Sequence, residues 1–364
     1  MTTESSDPLA LHPWNRAAVK RLLQRSETLP HALLVHGPDG TGKRAFVTHV
    51  AAALLCDTPR DGNACNTCRN CRLFAACAHP DFHVVEPEAE TETGGDLLNA
   101  YSRRYAPDRD KSDRKPSRVI RIDQFRSLIE SMRGRPQIGS RRVAIVVPAE
   151  AINVNAANSF LKLLEEPPPD TVFLLVSSVP GRLPATVRSR CVPLALNRPA
   201  RAEALAWLRS LDARIADPEA CLDLASGAPV RAVACSRAGE PGRVLAIIAD
   251  LAGLARRRSG LAACSARWKE SGTESCLAWL ELVISDMVRL RLAPETQNLR
   301  IPAARADLRR LGERLNSNEL VGFLDRVSRG RGLAGGPLDE QLLIEDILAT
   351  WLQLTDSEPH VING

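Results

Sequence analysis

The sequence predicts an α/β fold, a parallel sheet with helices on both faces, followed by a region built from helices alone. Three observations predict it. Short continuous apolar runs alternate with helix-length segments through the first half, the pattern of strands buried on both faces. A glycine-rich turn follows the first such run and opens a helix. After about residue 198 the strand signals fade and helical periodicity takes over.

At 364 residues the chain is long enough for two or three domains. Apolar residues at 44 % and charged residues at 25 % exclude a wholly disordered chain. Lys and Arg exceed Asp and Glu by 48 to 43, a net charge of +5, which permits a nucleic-acid partner without arguing for one. Aromatics at 4 % argue against a stacking platform for single strands. No apolar run approaches a membrane span. The first residues lack the basic start and apolar stretch of a signal peptide, so a cytoplasmic protein is expected.

The elements follow in order. Residues 14–28 read as an amphipathic helix, 31–37 as a buried strand entering a tight turn, and 43–55 as a helix rich in Ala and Leu. A cysteine-rich insert runs to about Cys77, and 82–87 is strand-like until Pro87 stops it. Residues 88–118 are acidic first and basic later with scant apolar content, which reads as a mobile surface loop. Residues 119–134 read as a strand turning into a helix, and 141–148 and 171–178 as buried strands. Between those strands, 153–166 is a helix whose apolar stripe is expected at Val154, Ala157, Leu161 and Leu164. Pro167, Pro168 and Pro169 end it. Short helices are expected at 200–211, 217–225 and 228–236, and longer ones at 276–292, 320–330 and 339–354.

Gly37-Pro38-Asp39-Gly40-Thr41-Gly42-Lys43 fits G-x-x-x-x-G-K between a strand and a helix. Gly37, Gly40 and Gly42 let backbone N–H groups turn inward on a phosphate, and Lys43 would reach the outer phosphates. The next position should offer a Ser or Thr hydroxyl to Mg²⁺, and here it is Arg44. A second metal contact should close a later strand, but 143–147 ends in Val147 and Pro148. Glu150 lies two residues on and substitutes only if the strand end bulges. Two missing metal groups argue against hydrolysis. Two readings stay open for the loop: loose binding of a nucleotide or anion, ATP or ADP, without turnover, or a glycine turn that binds nothing.

Cys56, Cys65, Cys68 and Cys71 form C-x8-C-x2-C-x2-C. Each close pair clamps a metal from two sides, and four thiolates complete a tetrahedral Zn²⁺ shell, so structural zinc is expected. Cys77 is the reserve ligand and His79 a weaker one. Cys191, Cys221, Cys235, Cys264 and Cys276 are isolated and read as small apolar residues.

Several segments together resemble bacterial clamp-loader subunits of the AAA+ class. They are Pro13-Trp14, His31-Ala32-Leu33-Leu34, the cysteine quartet, the block Asn158-Ser159-Phe160-Leu161-Lys162-Leu163-Leu164-Glu165-Glu166-Pro167-Pro168, and Leu183-Pro184-Ala185-Thr186-Val187-Arg188-Ser189-Arg190-Cys191. The likeness covers roughly residues 10–240 by motif and the helical tail by architecture. It implies a RecA-like AAA+ domain at 1–197 with a zinc module at about 56–77, a helical lid at 198–242 and a C-terminal helical collar at 243–364. It also implies a hetero-oligomer with the gamma/tau and delta subunits of DNA polymerase III, reaching the sliding clamp and primed DNA through that complex.

The resemblance assigns roles as well. Arg190, in the Ser189-Arg190-Cys191 motif, is implied to be an arginine finger presented to a neighbouring subunit's ATP. Ser178 falls where active subunits carry a polar sensor, and Arg231 where the lid carries its sensor arginine, unless Arg231 only stabilises the lid helix. A hydrolysing gamma/tau subunit would have Ser or Thr at the Arg44 position and an Asp-Glu pair at Val147-Pro148. An ATP-silent subunit without polymerase chemistry is therefore expected. The competing readings are an active gamma/tau-like ATPase and a zinc-ribbon nucleic-acid-binding protein acting alone.

Overall fold

The computed structural model describes residues 10–106, 115–211, 215–336 and 338–356. The chain divides into two compact units, Met1–Glu203 and Ala204–Gly364.

The first unit holds five parallel strands, β1 (Ala32–His36), β2 (Phe82–Val85), β3 (Arg142–Val146), β4 (Thr171–Ser177) and β5 (Val192–Ala195), in the order β2-β3-β4-β1-β5. Its helices are α1 (Arg16–Leu23), α2 (Lys43–Leu55), α3 (Arg69–Ala75), α4 (Glu88–Thr93), α5 (Leu97–Ser102), α6 (Ile122–Ser131), α7 (Val154–Glu165) and α8 (Ala185–Arg188). Alternate strand residues point to opposite faces. Leu33, Val35, Val84, Ile145, Leu174 and Val176 build one core with α2, and Leu34, Val85, Val146, Phe173 and Leu175 build the other with α6 and α7. The predicted parallel sheet covered on both faces is what forms.

Three local expectations change. Residues 88–106 are not a mobile loop: α4 and α5 cover that stretch, with Leu97, Leu98, Tyr101 and Tyr105 buried. A few large side chains at helical spacing suffice to dock a segment that is otherwise charged, and Asp96 caps α5 in a reciprocal box with Asn99. Residues 107–114 of that segment lie outside the described residues. The strand expected at 119 shrinks to a single bridge between Ile120 and Ile152. The buried face of α7 is Ala156, Ala157, Phe160, Leu163 and Leu164, while Val154 is 71 % exposed, because the Asn153 cap starts the helix with Val154 facing out.

Among the described residues the second unit has helices and no strand: α9 (Arg201–Ser210), which starts three residues before the unit's boundary, α10 (Pro218–Leu224), α11 (Pro229–Arg237), α12 (Glu240–Ala255), α13 (Leu261–Glu270), α14 (Thr273–Leu292), α15 (Arg305–Gly312), α16 (Ser317–Leu333) and α17 (Glu340–Asp356). One apolar cluster runs through it from Ala204 to Trp351. Asp286 of α14 is buried inside it, accepting from the N–H groups of Arg300 and Ile301 at 2.7 and 2.8 Å and pairing with Arg289 at 2.7 Å. No helix among the described residues is long and apolar enough to cross a membrane.

Candidate functional site

The glycine loop leaves the end of β1 and opens α2. Glycine is required at two of its positions for steric reasons. A Cβ at Gly37 would collide with the Leu196 carbonyl oxygen, and Gly42, at φ 83°, would place one against His12. The chain just before α1 fastens the loop from outside: Trp14 Nε1 and Asn15 Nδ2 both donate to the Thr41 carbonyl, at 2.9 and 3.1 Å. Lys43 is folded onto the loop, donating to the Gly37 and Pro38 carbonyls at 2.9 and 2.7 Å. Burial lowers its pKa, against the pull of Asp39 and Glu150.

Arg44 turns away from the loop into a carboxylate cluster. Its Nη1 pairs with Glu86 Oε1 at 2.5 Å, and its Nε and Nη2 bind the two oxygens of Asp96 at 2.7 and 2.8 Å. Glu86 follows β2 and is fully buried, and its other oxygen accepts from Asn99 Nδ2 at 3.0 Å. Burial pushes the Glu86 carboxyl up while Arg44 pulls it down; the net direction is up. Asp96, more exposed, is held below the usual carboxylate range by Arg44 despite its own desolvation. Sequence reasoning missed Glu86 and Asp96, which lie 42 and 52 residues from Arg44. The available signal was an acid directly after a buried strand at the loop-bearing edge of the sheet.

Val147 and Pro148 follow β3 and bring no carboxylate to its tip. Glu150 approaches the loop by a 3-10 turn, Ala149–Ala151, rather than by a bulge. Its Oε1 accepts from the Ser178 N–H at 3.0 Å, and its buried Oε2 takes no hydrogen bond among the described residues. Ser178 thus meets this acid through its main chain. Arg231 binds both oxygens of Glu240, at 2.8 and 2.9 Å, joining α11 to the start of α12.

Cys56, Cys65, Cys68 and Cys71 converge, with all four Sγ atoms within 4.8 Å of one another. Cys56 caps the end of α2, Cys68 caps the start of α3, and Cys71 lies in its first turn. The Cys56–Cys68 and Cys65–Cys71 separations are 4.0 and 3.9 Å. Zinc–sulfur bonds of ~2.3 Å give a tetrahedron of about 3.8 Å edge, so the four sulfurs fit one Zn²⁺. Backbone N–H groups of Cys65, Cys68 and Cys71 donate to the sulfurs of Cys56, Cys65 and Cys68 at 3.2–3.3 Å, contacts that favour thiolates. Hydrogen bonds from Thr58 and Thr67 lower the Cys65 thiol to about 5, while burial pushes the Cys56 and Cys71 thiols up. The reserve ligands Cys77 and His79 are not in the cluster; His79 is buried and accepts from the Asp81 N–H through Nδ1.

Arg190 follows α8 and precedes β5, whose Val192 pairs with Leu33 near the start of β1. The glycine loop leaves the other end of β1, four residues or ~13 Å along the strand from Leu33. Arg190 pairs with Glu165.

A family model described as "DNA polymerase III, delta subunit" matches residues 15–200. A DNA polymerase III subunit delta' of Pseudomonas aeruginosa is 33 % identical over 348 residues, 94 % of this chain and 98 % of its own. A DNA polymerase III subunit delta' of Escherichia coli K12 is 27 % identical over 347 residues, 93 % of this chain and 94 % of its own. Among solved structures, a gamma-subunit-related protein of DNA polymerase III from Thermotoga maritima aligns with 94 % of this chain and 99 % of its own, at 16 % identity and a TM-score of 0.44. On the family match and the near full-length likeness to the Pseudomonas protein, the chain belongs to the delta-prime family of DNA polymerase III subunits.

Proposed function

We propose that the chain is an ATP-silent clamp-loader subunit, a wall against which neighbouring ATPase subunits work while a sliding clamp is placed on primed DNA. The observation that carries this reading is the capture of Arg44 by Glu86 and Asp96. It occurs at the position where hydrolysis needs a hydroxyl on Mg²⁺. A guanidinium has no lone pair to give a cation, and one forked onto a carboxylate is held firmly.

In this reading residues 1–197 are the AAA+ domain, 198–242 a lid and 243–364 a collar that assembles with gamma/tau and delta subunits. Gly37, Gly40, Gly42 and Lys43 bind nucleotide weakly or not at all, since the Lys43 ammonium is already engaged by loop carbonyls. Cys56, Cys65, Cys68 and Cys71 hold one Zn²⁺, which supplies a fixed cross-link between α2 and α3. Arg190 is the arginine finger for a neighbour's ATP, a role supported by its distance from the chain's own loop.

The test is co-purification with gamma/tau and delta subunits of the same source. A stable hetero-oligomer is expected, with ATP turnover that vanishes when the gamma/tau loop lysine is replaced. Failure to associate, or turnover by the isolated chain that Lys43→Ala abolishes, overturns the reading.

A further inference from the structure

The Arg190 guanidinium is held at two points. Its Nη2 lies 2.5 Å from Glu165 Oε1, and its Nη1 donates to the Thr186 carbonyl at 2.9 Å. Glu165 is the last residue of α7 and Arg190 follows α8, so the contact ties two elements 25 residues apart. The two side chains are 36 % and 50 % exposed. An ion pair as open as this adds little to stability. Its effect is on direction. A carboxylate on one terminal nitrogen and a main-chain carbonyl on the other fix both the plane and the heading of the fork, in a side chain that otherwise samples many rotamers.

We infer that Glu165 is a positioning residue for Arg190, holding the guanidinium in a fixed orientation until charge developing on the triphosphate of a neighbouring subunit draws it over in the transition state. The inference rests on the arginine-finger reading. The exchange is favourable on charge grounds, since a triphosphate carries several negative charges and one exposed carboxylate carries one. The benefit is preorganisation: the fork is already ordered before the neighbour's site closes, so less freedom is lost on the way to the transition state.

The test uses the reconstituted complex, with DNA-stimulated ATP hydrolysis measured for Glu165→Ala, Glu165→Gln, Arg190→Ala and the Glu165→Ala/Arg190→Ala pair. Glu165→Ala is expected to lower kcat about three- to tenfold, the size of coupling typical of a contacting pair. The KM for ATP stays unchanged, because the neighbour alone forms the ATP-binding ground state. Glu165→Gln keeps an oxygen acceptor at the same reach and recovers most of the rate. In the Arg190→Ala background Glu165→Ala adds nothing. Three outcomes overturn the inference while leaving the finger standing: Glu165→Ala at the wild-type rate while Arg190→Ala is impaired, an equal loss in both backgrounds, or a faster Glu165→Ala complex. Arg190→Ala at the wild-type rate instead overturns the finger reading, and this inference with it.

Discussion

The Arg44 guanidinium meets the Asp96 carboxylate edge to edge, Nε to Oδ2 at 2.7 Å and Nη2 to Oδ1 at 2.8 Å. Two parallel charge-assisted bonds in this geometry are among the stronger polar contacts a protein makes. Here they anchor the first turn of α2 to the start of α5. The same contact removes Arg44 from the loop it follows in sequence.

The isolated chain is accordingly expected not to turn over ATP, even with Mg²⁺ and primed DNA. Arg44→Ser alone should not switch hydrolysis on, because the tip of β3 still ends in Val147 and Pro148. Phosphate release above background by the purified protein, lost in Lys43→Ala, is the contrary result.

Arg190→Ala should leave fold and assembly intact, since the side chain is part-exposed and its ion pair is of the kind that contributes ~0–1 kcal/mol. It should lower the DNA-stimulated ATPase of the reconstituted complex. A finger is worth ~10³–10⁵ where measured in GTPases, and one site among several shows a smaller overall loss. Arg190→Lys should rescue poorly for want of the planar fork. A fully active alanine complex would remove the assignment.

Metal analysis should find about one zinc per chain, and X-ray absorption should find sulfur at ~2.3 Å. Cys68→Ala should release the metal and lower the melting temperature by about 5–10 °C, as expected for a structural cross-link in a domain of this size. Retention of full metal content in that variant is the result to look for against it.

His83 gives the first unit an acid-sensitive component. Its Nδ1 shares a hydrogen bond with Tyr105 Oη at 2.5 Å, and burial, with Arg104 and Arg142 adding, lowers its pKa to about 3. An unfolded histidine titrates near 6.5, so between these values the unfolded chain binds the extra proton. The stability contributed by neutral His83 is complete above about pH 6.5 and is lost as pH falls toward about 3. Its size is on the order of a few kcal/mol at most. Denaturant midpoints measured at pH 7 and pH 5 should fall more steeply for the native chain than for His83→Gln.

Asp286→Ala should destabilise the second unit by about 2–3 kcal/mol, because it leaves one buried and one part-buried N–H group without their acceptor, while Arg289, partly exposed, can turn to solvent. Asp286→Asn keeps one acceptor and should cost less. Equal midpoints for the two variants would show that the charge alone matters.

Local features were legible in the sequence and contacts between distant segments were not. The glycine loop and the cysteine quartet are spacings within a few tens of residues, so their geometry is encoded where they stand. The partners of Arg44 are chosen by strand order, which no spacing reveals. β5 was missed because Val192-Pro193-Leu194-Ala195, though apolar, is a short, largely exposed edge strand with a proline in it, a residue that argues against a strand in sequence. The α5 region was missed for the opposite reason: its few buried residues are diluted by charge that faces solvent.

Helix α2 begins at Lys43 and Cys56 caps its end, with eleven of its thirteen residues buried. A helix so enclosed acts as a ruler. Adding one residue inside it would turn its far end by about 100° and advance it by about 1.5 Å. That would swing Cys56 off the other three sulfurs or drag the glycine loop off the end of β1. An inserted residue is therefore expected to be tolerated between Cys56 and Cys65, where the chain closes a loop rather than sets a phase.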